Sequence, residues 1–329
     1  MGHGNISIFV PHLGCPNQCS FCNQRYITRK DSAPKPEDVV SAVRLASSFE
    51  GYNAKTTEIA FFGGSFTAIE KDYMVSLLRT ASNLLISGEV GGIRISTRPD
   101  CINEEILTLL KKYGVTAIEL GAQSMCDSVL LLNKRGHRAC DVAKASALIK
   151  EFGFELGLQM MTGLYGSNPS LDMNTAEALV ELNPDTVRIY PTITLKSTDL
   201  CTYYEQGIYT PQTLDEAIRL CTNIEDFFIE NNIKVIRVGL HEIDMEAYVA
   251  GPWHPAFHEL CQSYRLRCKL EERISLKGEY LIMVNPANLS KFIGQKKSNV
   301  QYFLEKDIRI KFLPSEQVAE GDFVVKEVN

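Results

Sequence analysis

Three cysteines stand close together near the start of the chain, in the stretch PHLGCPNQCSFCNQR at residues 11–25, where Cys15, Cys19 and Cys22 are separated by three and then two residues. A structural zinc site takes four ligands, usually two cysteine pairs or a cysteine pair followed by histidines. Here there are three, with His12 as a neighbouring candidate for a fourth and no second Cys or His pair nearby. Three cysteines also suit iron and sulfide. They can hold three irons of a four-iron, four-sulfur (4Fe-4S) cluster and leave the fourth iron open to an external ligand.

The other cysteines are scattered. Cys101, Cys126, Cys140, Cys201 and Cys221 read as buried thiols, and Cys261 and Cys268, with six residues between them, offer only a distant pairing for a second metal site. Ten cysteines so spread in 329 residues fit the reduced thiols of a cytoplasmic protein better than a disulfide framework. HEIDMEAY at 241–248 sets His beside Glu but has no second His at zinc spacing, which argues against a metalloprotease. No run approaches the ~18 apolar residues of a membrane span, and the first residues lack a charged start followed by an apolar stretch, so a cytoplasmic location without membrane contact is expected.

The elements that must position the trio follow from periodicity. Short apolar runs rich in β-branched residues, ISIFV (6–10), TEIAFF (57–62), GIRIST (92–97), TAIEL (116–120), ELGLQMM (155–161), TVRIY (186–190) and IKVIRV (233–238), predict strands. Between them lie PEDVVSAVRLASSFE, KDYMVSLLRTASNLL, NEEILTLLKKYG, DVAKASALIKEFG, DMNTAEALVELN and LDEAIRLCTNIEDFFIENN, with apolar residues at helical spacing and Asp, Asn, Pro or Gly at their ends. Strand and helix alternating at this rhythm predict a parallel sheet, in an α/β fold that is a partial barrel of (β/α)6 type. The trio then falls in the loop after the first strand, at the barrel mouth where active sites sit.

This combination, with Phe21 beside Cys22, resembles the radical S-adenosylmethionine superfamily. FFGGSF at 61–66 resembles the glycine-rich strand end that contacts the methionine amino group, which places Gly63, Gly64 and Ser65 there. ISTRPD (95–100), IELGAQS (118–124), LNKRGH (132–137) and VRIYPTITLKSTDL (187–200) resemble, in order, the radical domain of the Elongator catalytic subunit family. The resemblance runs from about residue 5 to residue 240. It implies a 4Fe-4S cluster on Cys15, Cys19 and Cys22, with S-adenosylmethionine on its open iron. Electrons would come from a low-potential donor such as ferredoxin or flavodoxin, and a 5′-deoxyadenosyl radical would remove hydrogen from the substrate. By similarity to the related coproporphyrinogen oxidases, Gln123 and Arg135 hold the nucleoside and the methionine carboxylate, and Phe21 lies over the adenine. The positions where the family carries ribose-binding acids correspond to Ser96 and Gln159, two departures, and Tyr190, on the strand after, is a further candidate contact to the cofactor. Taken singly, Gly63 and Gly64 could just end a strand, Gln123 could be a core amide, Arg135 a surface residue, and Tyr190, Met160 and Met161 core packing.

After residue 250 the pattern changes, at GPWHPAFHEL with its two prolines and the only Trp. The Elongator subunit would continue into an acetyltransferase domain. Here 79 residues follow residue 250, so that domain is not expected. The division read is a barrel over 1–250, a connecting segment over 251–276 and a small α+β unit over 277–329. Between Tyr264 and Lys311 there are 11 Lys and Arg against 5 Asp and Glu, within a chain of net charge −6. A basic stretch on an acidic protein points to an anionic partner, or else to a solvated face. EYLIMVNP (279–286) predicts a strand, the next 21 residues two helices broken at Gly294, and IRIKF and DFVVKEV two more strands. The turn resembles the glycine loop of KH nucleic-acid-binding modules. Lys291, Gly294, Lys296 and Lys297 are the candidate RNA contacts, although Lys297 stands where the second glycine belongs. Three readings stay open: a radical enzyme that modifies tRNA or rRNA, one that acts on a small metabolite or porphyrin-like substrate, and a non-catalytic iron–sulfur RNA-binding protein.

Overall fold

Each of the seven apolar runs is a strand in the computed structural model, which describes residues 4–10, 15, 18–23, 33–240, 242–274 and 276–328. These are β1 (Gly4–Val10), β2 (Thr57–Gly63), β3 (Gly92–Thr97), β4 (Ala117–Gln123), β5 (Glu155–Thr162), β6 (Thr186–Pro191) and, after the short β7 (Thr194–Leu195), β8 (Lys234–Val238). They form one parallel sheet in chain order β1-β2-β3-β4-β5-β6-β8. Helices return the chain between strands: α1 (Pro36–Ser47), α2 (Lys71–Ile86), α3 (Glu104–Lys112), α4 (Asp127–Leu132), α5 (Ala139–Glu151), α6 (Pro169–Glu181), α7 (Asp199–Glu205) and α8 (Leu214–Glu230). Proline opens α1 and α6, and the side chains of Asn103, Asn168 and Thr213 cap α3, α6 and α8.

Successive strand residues face opposite sides, so the two faces can be read from register. One face carries Ile93 and Ile95, Ile118 and Leu120, Leu156, Leu158 and Met160, and Val187 and Ile189, all buried in a single apolar core with the helices. The alternate positions carry Arg94 and Ser96, Glu119 and Gly121, Gly157 and Gln159, and Arg188 and Tyr190, and they sit side by side across the curled half-barrel. The inner face is therefore polar. Glu119, 1% exposed, accepts both Nε (2.8 Å) and Nη2 (2.9 Å) of Arg188, while Arg94 lies between Glu58, Glu119 and Glu155. Buried charges persist only when paired in this way.

Beyond β9 (Tyr248–Ala250), α9 (Phe257–Arg273) contributes Phe257 and Cys261 to the barrel core and Leu266 and Leu270 to a second core. That second core lies under β10 (Gly278–Val284), α10 (Leu289–Ile293), α11 (Ser298–Leu304), β11 (Ile308–Pro314) and β12 (Phe323–Val328). Strand order is β11-β10-β12, with β10 parallel to β11 and antiparallel to β12. The segment expected as a connector is thus mostly helix, spanning both cores. Cys261 and Cys268 lie seven residues apart on it, about 10 Å along the axis, too far to share one metal ion. Cys140 is exposed and Cys101 and Cys126 are half-buried, contrary to the expectation of buried thiols, because all three lie at or near helix starts at the barrel's rim.

Candidate active site

The loop after β1 carries the cysteines, and what is described of it is held by Ser20. This fully buried residue donates from its N–H to the Asn133 carbonyl (3.1 Å) and from its hydroxyl to Asn133 Oδ1 (2.8 Å), and its carbonyl accepts Leu200 N–H (2.8 Å). Asn133 is itself fixed by Nδ2 bonds to the carbonyls of Val129 and Tyr165, both 2.8 Å. The ends of α4 and α7 thereby clamp the chain between Cys19 and Cys22. His12 lies outside the described residues.

A cavity of about 120 Å³ opens beside this loop. Its walls bring together Cys15, Cys19, Cys22 and Phe21 with Gly63, Gly64, Ser65, Ser96, Gln123, Arg135 and Gln159, all singled out from sequence. Gln18, Thr97, Arg98 and Gly121 complete it. Tyr190 is not among the lining residues. It stands on the inner face of β6, in register with Met161, while Met160 turns into the core.

Local structure explains the placements. Gly63 has φ +113°, and a Cβ there would stand 2.6 Å from the Val10 carbonyl oxygen, so only glycine lets β2 end this close to β1. Gln123 has φ +65° and sits at a bulge in the β4–β5 pairing, which turns its side chain out of the strand's alternation. Its Oε1 is buried and finds no partner among the described residues. Arg135, 6% exposed, donates from Nη1 to Cys19 Sγ (3.2 Å) and from Nη2 to the Gly121 carbonyl (2.6 Å), leaving Nε without a partner among the described residues. Gln159 Nε2 reaches Glu119 Oε2 (2.7 Å) and Ser96 Oγ (3.2 Å). An ionised carboxylate only accepts, so the amide nitrogen must face it and Oε1 is the atom left for the cavity.

The electrostatics follow from burial. Cys22 is pushed up to about 12 by burial and by the neighbouring Cys19 and Cys15, against the pull of Arg135. His137, two residues beyond Arg135, is held down at about 4 by burial and by the Arg135 cation, so it is neutral and donates Nε2–H to the Ala122 carbonyl (3.2 Å). Among the described residues no three His, Cys, Asp or Glu side chains gather tightly enough for a single metal ion.

A curled parallel half-barrel with three thiols at its mouth defines a class, and the family comparison agrees: the chain belongs to the Radical SAM superfamily, whose model matches residues 9–179, followed by a Radical SAM C-terminal domain over 184–266. A tRNA uridine(34) acetyltransferase of Dehalococcoides mccartyi is 26% identical over 240 residues, 63% of this chain and 52% of the relative. Human Elongator complex protein 3 is 26% identical over 195 residues, 53% of this chain and 36% of the relative. Among solved structures, Elp3 of Methanocaldococcus infernus superposes with TM-score 0.67 at 22% identity over 81% of this chain and 63% of that one. The matched region spans about a third to a half of the length of the tRNA uridine(34) acetyltransferase and Elongator relatives.

The superfamily's cofactors are a 4Fe-4S cluster and S-adenosylmethionine. The residues present fit both. Three thiols on one wall match a cluster with an open iron, and the unpartnered Gln123 Oε1 and Arg135 Nε offer an acceptor and a donor to a polar ligand beside it.

Among the described residues no helix is long and apolar enough to cross a membrane. Of the residues proposed for RNA, Lys296 and Lys297 are exposed and Lys291 is half-buried beside Gly294. Lys296 (φ +51°) and Lys297 (φ +64°) both take left-handed backbone, and a Cβ on Gly294 would stand 2.4 Å from Ser298 Oγ. Sequence reading missed Ser20, Arg98, Glu119 and Arg188. A single charge set between apolar neighbours in the middle of a strand, as in Arg94, Glu119 and Arg188, was the available signal for a polar barrel interior.

Proposed function

We propose that this protein is a radical S-adenosylmethionine enzyme that modifies an RNA base, in tRNA or rRNA, in the cytoplasm. The carrying observation is the single cavity shared by the cysteine loop and the residues proposed for the nucleotide. Cys15, Cys19 and Cys22 hold three irons. Gly63, Gly64 and Ser65 receive the methionine amino group, Gln123 and Arg135 the nucleoside and carboxylate, and Phe21 covers the adenine. Ser96 and Gln159 replace acids as ribose contacts, with Gln159 Oε1 as acceptor. Tyr190, on the inner face of β6 but outside the cavity lining, is the remaining candidate contact to the cofactor. When bound, the cofactors would supply one-electron cleavage of the sulfonium to a 5′-deoxyadenosyl radical, the electron coming from a low-potential donor such as ferredoxin or flavodoxin.

The RNA assignment is supported by the names of relatives, tRNA uridine(34) acetyltransferase and Elongator complex protein 3, and by the cationic turn at Lys296 and Lys297. In this reading residues 1–250 hold the cofactors, 251–276 connect, and 277–329 grip the RNA backbone through Lys291, Gly294, Lys296 and Lys297. The test is anaerobic incubation of the reduced protein with S-adenosylmethionine, with and without RNA. Release of 5′-deoxyadenosine is expected, and it should vanish with the brown chromophore when any of Cys15, Cys19 or Cys22 becomes Ala. A triple Ala variant that kept four irons would refute the cluster assignment. Modified nucleosides unchanged between cells with and without the gene would refute the RNA substrate.

A further inference from the structure

Arg98 belongs to none of the contacts assigned above, yet it is 4% exposed and lines the same cavity as Cys19. It is held from behind: Asp100 accepts its Nε (2.9 Å) and Nη2 (2.7 Å). Its backbone N–H donates to Ser65 Oγ (3.2 Å), which also bonds Thr97 Oγ1 (2.7 Å). The third nitrogen, Nη1, is buried and has no partner among the described residues. Asp100 does not line the cavity, and its side chain is 29% exposed. The ion pair is thus oriented, with its cation inward in a poorly screened place and its anion outward where water weakens it. Burial works against the Arg98 cation, and its neighbours, the hydrogen bonds and charge of Asp100 foremost, more than offset it. Since Arg135 already bonds Cys19 Sγ directly, a second guanidinium on this wall is more than one carboxylate of the nucleotide requires.

We propose that Arg98, oriented by Asp100, is a positioning residue for electron entry, setting the reduction potential of the cluster that Cys19 helps to hold. The inference rests on the cluster reading given above. One electron from a low-potential one-electron donor takes the core from the 2+ to the 1+ state, no bond is made or broken, and the site gains one negative charge. Arg98 favours the more negative state and raises the potential, while Asp100 tempers that effect. Charge and hydrogen bonds near the sulfurs are known levers on such potentials.

The experiment is potentiometric titration of the anaerobically reconstituted full chain, followed by the paramagnetic resonance of the reduced cluster, with iron counted in each sample. Arg98→Met should shift the midpoint negative by at least tenfold in the reduction equilibrium, 59 mV for one electron. Asp100→Asn should shift it positive, and Arg98→Lys should stay nearer wild type than Arg98→Met. A merely structural role would move the first two the same way or not at all, and either result overturns the proposal. If Arg98→Met fails to hold iron, an Asp100→Asn variant whose midpoint does not rise refutes it just as well. Wild-type protein without four irons would sink the cluster reading itself, whereas four irons with unmoved potentials would sink this inference alone.

Discussion

Arg135 shows how far a motif's meaning depends on its surroundings. From sequence it is an arginine twelve positions after Gln123, suited to a two-pronged grip on a carboxylate. In the fold two of its three nitrogens are taken, by Cys19 Sγ and the Gly121 carbonyl, and only Nε is free among the described residues. A single charge-assisted hydrogen bond contributes about 1.5–3 kcal/mol, so Arg135→Ala should weaken S-adenosylmethionine binding roughly tenfold to a hundredfold, with iron retained; unchanged affinity by calorimetry would remove it from the nucleotide site. Gln159 makes a second case. Its amide neutralises a position beside the buried Glu119, so Gln159→Glu would lose both donated bonds and set two carboxylates face to face. A destabilisation of about 1–3 kcal/mol is expected, read as a lowered urea midpoint. A midpoint equal to wild type would mean that the new acid takes up a proton and restores the bond.

At the level of elements, the seven strands and six principal helices were legible because each repeats one period cleanly and ends on a recognisable signal. α4 and α7 escaped notice because six- and seven-residue helices show too little period to read, and α9 because two prolines before it mark a boundary. The cysteines, glycines, Gln123 and Arg135 were legible as motif residues. Ser20 and Arg98 were not, since their roles arise from partners over a hundred residues away or from the direction an ion pair faces. The loop after β5 is a similar case. Asp172 of α6 reaches back to accept Gly163 N–H (2.8 Å) and the Ser167 hydroxyl (2.5 Å), and burial raises it from 3.8 to about 6, opposed by those two bonds. A carboxyl that holds its proton more tightly folded than unfolded gives stability that is complete below pH 3.8 and declines as pH rises through about 6. Denaturant midpoints of wild type should therefore fall across that window relative to Asp172→Asn. Parallel pH profiles for the two proteins would contradict the shift.

For the whole molecule, the question is whether the second core merely covers the barrel or brings it a substrate. Its glycine turn carries two lysines in left-handed backbone, a conformation costing a side-chain-bearing residue about 1–2 kcal/mol. Lys297 bears that cost where glycine would avoid it, so Lys297→Gly should hold or raise the melting temperature while removing a charge. A purely structural appendage would gain by that change and lose nothing. If the lysines instead meet phosphates, each contact to a single strand adds about −0.7 to the slope of log affinity against log salt, and Lys296→Ala with Lys297→Ala should flatten that slope by roughly one to one and a half. Alanine leaves the backbone strain as it was, so this pair isolates charge. Such contacts hold RNA without reading its sequence, so the loss should be similar for unrelated RNAs. Release of 5′-deoxyadenosine without RNA should persist, since the barrel is untouched. Wild-type protein that binds no RNA at low salt, or a double variant with an unaltered slope, would return the turn to a structural role and move the substrate of the barrel toward small molecules.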